Sequence, residues 1–171
     1  MQAIDAISIV ATGGTIDSVF HPQSEGKVIS SSSGVPDYLR DFIKPPFSMR
    51  CTQICMLDSK LLTDEIRTQI AEAVIASIGP YVLILHGTDT MAVTAAFLDQ
   101  YLPKNHNKTV ILTGSMIPLE GFLPSDAAFN LGFAMGRFGA LEAGVYVCMN
   151  AATFRAGTVV KNAEAGRFEV L

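Results

Sequence analysis

The sequence predicts an α/β fold: a doubly wound, mostly parallel sheet of Rossmann-like or flavodoxin-like type, with helices on both faces. Three observations carry this expectation. Short runs without polar alternation, such as Tyr-Val-Leu-Ile-Leu at 81–85, read as strands buried on both faces. Stretches with apolar residues at helical spacing separate these runs, so strand and helix alternate and the crossovers are right-handed. The first, third and fourth strands also run into clusters of Gly, Ser, Thr and Asp, and ligands in such sheets bind beyond the carboxyl ends of the strands.

Taken in order, residues 6–11 form an apolar first strand that stops at the turn Thr12-Gly13-Gly14-Thr15. Residues 16–36 hold Pro22, Gly26, a run of serines at 30–33 and Gly34. This polar stretch is too long for an ordinary connector and is expected to be a lid that moves and closes over ligand. Residues 35–43 suit a short helix, ended by Pro45-Pro46 before an alternating second strand at 49–57. Thr63 caps a helix opened by Asp64 and Glu65, in which Ile66, Ile70, Val74 and Ile78 recur at helical spacing until Gly79-Pro80. The third strand, 81–85, enters His86-Gly87-Thr88-Asp89-Thr90 and a helix that runs through Leu102. Residues 109–112 repeat the pattern into Thr113-Gly114-Ser115-Met116, and a helix at 125–138 leads to a fifth strand at 144–149. There is no internal repeat.

The 171 residues fit one domain with a sizeable core. Apolar residues make up 49% of the chain and charged ones 16%, with a mean hydropathy of +0.36, which predicts that some apolar surface meets a partner subunit, so a homo-oligomer. The net charge of −4 and the lack of a Lys/Arg face speak against nucleic acid. No run approaches the roughly 18 apolar residues of a membrane span, and Met1-Gln2-Ala3-Ile4-Asp5 does not open a secretory signal. Cys51, Cys55 and Cys148 are odd in number and lack metal-ligand spacing, so they read as buried thiols in a reducing compartment, and the cytoplasm is the expected location.

By itself, Thr12-Gly13-Gly14-Thr15 is a glycine turn that could cradle phosphate, although it lacks the G-x-G-x-x-G spacing and the P-loop lysine. Thr88-Asp89 at a strand end reads either as a helix cap or as a hydroxyl beside its activating carboxylate. Three segments occur together in order: Thr12-Gly13-Gly14-Thr15-Ile16, His86-Gly87-Thr88-Asp89-Thr90-Met91 and Thr113-Gly114-Ser115. They resemble the bacterial L-asparaginase/glutaminase family. The likeness continues through Ser125-Asp126-Ala127-Ala128-Phe129-Asn130-Leu131 to Met149-Asn150 and Lys161, and so covers most of the chain.

The resemblance implies an amidohydrolase that converts L-asparagine to L-aspartate and ammonia, with minor glutaminase activity, no cofactor and no metal. Thr15 matches the nucleophile that forms a β-aspartyl ester, and Thr88, Asp89 and Lys161 match a Thr-Asp-Lys relay. A threonine hydroxyl needs a base, which a neutral lysine could provide through Thr88. On local context alone Lys161 is a solvated surface residue. The implied substrate-binding set is Gly14, Asp58, Ser59, Gly87, Ser115 and Met116. Within it Ser59 holds the α-carboxylate, Asp89 pairs with the α-ammonium, and Ser115 and Met116 line the pocket near the amide.

The chain departs from the family in three ways. Members usually have a second, smaller domain that completes the ammonium site, and this sequence holds only the first, as a single domain over 1–171. The site would then be completed by self-association, unless the chain is part of a larger protein or a relic without turnover. The lid lacks the family's tyrosine, whose place falls to Lys27 or Gln23, or to His21, Glu25 or Tyr38. Lys60 stands where extracellular members carry glutamine, which bears on selectivity. Beside the enzyme stand two other readings: an aspartate- or asparagine-binding module that has lost turnover, and a flavodoxin-type phosphate binder.

Overall fold

The computed structural model describes residues 4–24 and 26–171. β1 (Ala6–Gly13) leads through a 3₁₀ turn (Thr15–Asp17) into β2 (Ser18–His21) and β3 (Gly26–Ile29), which pair as an antiparallel hairpin. α1 (Val35–Tyr38) continues as a wider turn over Leu39–Ile43, followed by β4 (Ser48–Leu57) and α2 (Asp64–Ala76). β5 (Tyr81–Leu85), α3 (Met91–Tyr101), β6 (Thr109–Thr113), α4 (Ala127–Arg137) and β7 (Gly144–Met149) complete the alternation. Three short strands follow: β8 (Ala152–Arg155), β9 (Val159–Asn162) and β10 (Arg167–Val170).

The main sheet runs β4-β1-β5-β6-β7-β8, parallel except for β8, which pairs antiparallel with β7. It is the doubly wound α/β fold that the alternation predicts. Successive strand residues point to opposite faces and build two cores. Val82 and Ile84 of β5 join Val10, Val110 and Val147 under Ile70 and Val74 of α2 and Leu98 of α3. Leu83 and Leu85 join Ile9 and Ile111 under Val35, Leu131 and Phe138 on the other side. Each such fully buried aliphatic side chain is worth about 1.5–3 kcal/mol. Thr63 caps α2, its Oγ1 accepting from the Ile66 N–H.

Two expectations need correction. Within the 16–36 segment, expected only as a polar lid, Ser18–Ile29 forms a β-hairpin: its strands are four residues each, too short to show a period. Of the cysteines only Cys148 is buried; Cys51 is exposed because β4 is an edge strand. The strand order places the switch point between β1 and β5, and ligands in such sheets bind in the crevice beyond the carboxyl ends of the strands at that point.

Candidate active site

The crevice exists because two backbones touch. Gly14, at φ 84°, packs against the β5 loop so closely that a Cβ would lie 2.4 Å from Gly87 Cα, and a Cβ on Gly87 would lie 2.8 Å from Ser59. Only glycine fits such an approach, and a positive φ excludes most other residues at Gly14 as well. Three loop ends are thereby drawn together, and the side chains that follow them face a shared cleft of about 280 Å³.

Thr15 reaches this cleft from the end of β1, and Thr88 and Asp89 from the end of β5. Lys161 arrives from β9, donating from Nζ to Thr88 Oγ1 at 2.8 Å and forming an ion pair with Asp89 Oδ1. Asp89 Oδ2 is 2.9 Å from Lys60 Nζ. The hydrogen bonds from Lys161 and then Lys60 hold the Asp89 carboxyl below its usual range. In turn, the bond to Asp89 raises the Lys60 ammonium above its own. Thr88 and Asp89 do not cap α3, whose Ncap Thr90 makes no capping bond. Thr90 instead donates from Oγ1 to the Ser59 carbonyl at 2.8 Å and from its N–H to Ser59 Oγ at 3.3 Å, which orients Ser59 toward the cleft.

Asp58 caps the turn Ser59–Leu61, its Oδ1 accepting from the Lys60 N–H at 2.9 Å. Met116 lines the cleft, but Ser115 does not: it is wholly buried, and its Oγ has no partner among the described residues. The turn after β6 presses against the β5 loop, so close that a Cβ on Gly114 would lie 2.2 Å from the His86 carbonyl. Ser115 is thereby enclosed.

Among the candidates for the lid, Lys27 on β3 makes the contact, donating from Nζ to Thr15 Oγ1 at 2.9 Å. Tyr38 stacks on Phe42, with ring centroids 5.9 Å apart, Gln23 sits in the exposed turn of the hairpin, and His21 pairs in register with Gly26. Glu25 lies outside the described residues.

Sequence reasoning missed the scaffold behind the cleft. His86 is fully buried and contacts the Gly87 carbonyl through Nδ1 at 2.7 Å and Thr94 Oγ1 through Nε2 at 2.9 Å. The carbonyl can only accept, so Nδ1 carries the proton and Nε2 receives the threonine hydroxyl. Burial holds this neutral ring's pKa down to about 4. A second chain runs from α4 to β10. Asn130 donates to Asp126 Oδ2 and to the Gly114 carbonyl, its Oδ1 accepts the Asn150 N–H, and Asn150 Oδ1 accepts the Phe168 N–H at 3.0 Å. Phe168 is the register partner of Lys161. The signal was present in Asn130 and Asn150, but their contacts required the fold.

Residues 6–168 match the family description "Asparaginase, N-terminal". The chain belongs to the asparaginase family. Its relatives include the L-asparaginase 1 of Escherichia coli, 36% identical over 132 residues, a match covering 74% of this chain and 38% of that protein. The glutaminase-asparaginase of Acinetobacter glutaminasificans is 32% identical over 165 residues, covering 91% and 49%. Among solved structures, L-asparaginase I of Vibrio cholerae superposes with a TM-score of 0.83 at 28% identity, over 98% of this chain and 52% of that one. The thermostable L-asparaginase of Thermococcus kodakarensis gives 0.81 at 27% identity, over 97% and 51%. The asparaginase-family chain described here thus spans about half or less of the relatives it matches. No described helix is long and apolar enough to cross a membrane, and no three described His, Cys, Asp or Glu side chains gather as a metal site.

Proposed function

We propose that residues 1–171 form the catalytic domain of an amidohydrolase that converts L-asparagine to L-aspartate and ammonia in the cytoplasm, with L-glutamine as a minor substrate. Thr15 Oγ attacks the side-chain amide carbon, and its proton leaves with the amine as the C–N bond breaks, giving ammonia and a β-aspartyl ester. Water then attacks the ester, its proton passing through Thr88 to the free-amine form that Lys161 takes when its ammonium gives up a proton, and that proton goes on to the Thr15 oxygen as the ester C–O bond breaks, restoring both the threonine hydroxyl and the amine. Ser59 receives the α-carboxylate. The Thr88 backbone N–H faces the oxyanion, a contact worth about 3 kcal/mol in typical enzymes. The observation that carries this reading is the 2.8 Å contact of Lys161 Nζ with Thr88 Oγ1 inside a cleft that also holds Thr15.

Exposed apolar side chains such as Phe42, Ile78, Leu123 and Phe129 support association with further copies. The free thiols Cys51, Cys55 and Cys148 fit a reducing compartment. Release of ammonia from L-asparagine by the purified chain, lost on Thr15→Ala, tests the reading. Tight L-aspartate binding without ammonia release would make this a binding module instead, and stabilisation by mononucleotides but not by aspartate would replace it with a phosphate binder.

A further inference from the structure

In the reading above, Asp89 pairs with the substrate's α-ammonium group, and the structure sets a competitor against that role. Asp89 has two carboxylate oxygens: Oδ1 faces the Lys161 ammonium and Oδ2 the Lys60 ammonium at 2.9 Å. An incoming α-ammonium is the same kind of ion as the ones already there, so it gains a partner only by displacing one. Lys161 is enclosed, with a side chain only 19% exposed, and is tied to Thr88. Lys60 is 69% exposed and projects from the short turn that Asp58 caps. It is therefore the group that yields or holds.

The charge around the cleft points the same way. Three lysines (Lys27, Lys60 and Lys161) face two aspartates (Asp58 and Asp89), which leaves one net positive charge. Asp58 has already committed one oxygen to the Lys60 backbone N–H. A ligand that brings carboxylates and no ammonium meets this field without a rival, whereas an α-amino acid brings a cation into it.

We propose that Lys60 is a specificity-determining residue that disfavours the α-ammonium group, so that the cleft favours C4 dicarboxylates and their monoamides without an α-amino substituent. The proposal rests on the asparaginase reading of the site and narrows its substrate class. Lys60 acts by occupying Asp89 Oδ2, and it touches no atom of the scissile amide.

The experiment is calorimetric titration of the full chain with L-aspartate and with succinate, for wild type, Lys60→Gln and Lys60→Ala. Ammonia release from L-asparagine and from succinamate is followed in parallel. The wild type should bind succinate at least as tightly as L-aspartate. Both variants should shift the succinate-to-aspartate preference toward aspartate by about fivefold, since the two ligands carry the same carboxylates and differ by one screened charge contact at the ammonium. The turnover ratio of succinamate to asparagine should move in the same direction. If L-aspartate binds more tightly to the wild type and the ratio is unchanged in both variants, the role of Lys60 is refuted while the asparaginase site stands. If neither ligand binds and neither amide is cleaved, both the role of Lys60 and the underlying assignment fall. Because Lys60 is exposed, both variants should keep the wild-type unfolding temperature; a variant that unfolds early while its partner keeps the wild-type temperature and ratio counts against the proposal.

Discussion

Asp17 and His86 should give this protein a nearly level stability profile between about pH 4 and about pH 6, the midpoints that their surroundings impose on His86 and Asp17, because two large proton linkages oppose each other there. Asp17 lies at the root of the lid hairpin and is only 4% exposed. Its Oδ1 accepts from Ser33 Oγ at 2.7 Å and from the Gly34 N–H at 3.2 Å, while Oδ2 is buried without a partner among the described residues. Burial outweighs those bonds and pushes the carboxyl from 3.8 to about 6, with Glu120 adding repulsion. Since this pKa is raised on folding, the stability it confers is full below pH 3.8 and lost as pH rises through about 6. His86 is the reverse case: its pKa falls from 6.5 to about 4, so its contribution is full above pH 6.5 and lost as pH falls through about 4. At about 1.4 kcal/mol per pH unit, each amounts to about 3 kcal/mol, and their sum is nearly constant.

Asp17→Asn keeps an acceptor for Ser33 and Gly34 but cannot ionise. Urea unfolding of both proteins from about pH 4 to pH 7 should show the variant gaining about 3 kcal/mol relative to wild type as pH rises, roughly 6–12 °C in Tm for a chain of this size. The variant alone should also display the uncompensated rise due to His86. A difference between the two proteins that stays constant across this range would show that Asp17 titrates as an ordinary carboxylate and would refute the reasoning.

Other outcomes follow from the cleft. Lys161→Met should lower turnover by orders of magnitude, as Thr88→Ala should, and the double variant should be no worse than the poorer single one, because members of a relay act as a unit; steady-state ammonia release measures all three. Lys27→Ala removes the donor to Thr15, and for a charge-assisted bond at an exposed position the loss should be about tenfold in kcat with little change in KM, read from the same assay. Asn150 sits at φ 54°, so Asn150→Gly keeps the turn and removes the side chain. It should cost about 1–3 kcal/mol in urea unfolding by leaving the Phe168 N–H without its partner, and kcat should fall with it.

How far the sequence could be read depended on burial. The strands at 81–85 and 144–149 fall on the residues predicted, and the helix capped by Thr63 starts where the capping pattern places it, because buried strands and capped helices carry their own chemistry. β8, β9 and β10 escaped. Each is four residues long, and the turn into β8 is Asn150-Ala151 with φ of 54° and 60°, where Asn-Gly would have signalled a hairpin. Thr88 and Asp89 stand out as a hydroxyl beside a carboxylate at a strand end, but Lys161 could be singled out only through the family pattern, since nothing near it in sequence distinguishes it from a solvated lysine. The contacts of Lys27 with Thr15 and of Lys60 with Asp89 join different loops, and no local pattern reports them.

Lys161 stands on a two-stranded sheet outside the main one, so its position over Thr88 needs an explanation that the main sheet does not provide. The chain of side-chain amides supplies it. Asp126 accepts the N–H groups of Met116 and Ile117 and thereby fixes the β6 loop that contributes Met116 to the cleft. Through Asn130 and Asn150 the same carboxylate is linked to the Phe168 N–H, opposite Lys161 in register. Asn150 and Ala151 both hold left-handed conformations, which cost a non-glycine residue about 1–2 kcal/mol, and from this turn the side-chain amide oxygen of Asn150 accepts the Phe168 N–H of β10. None of Asp126, Asn130, Asn150 or Phe168 lines the cleft, yet together they set one wall and the lysine of the opposite wall from a single anchor. Strain at Asn150-Ala151 is offset by the hydrogen bonds that Asn150 makes with Asn130 and with the Phe168 N–H, and a substitution along this chain should act on the cleft through the position of Lys161.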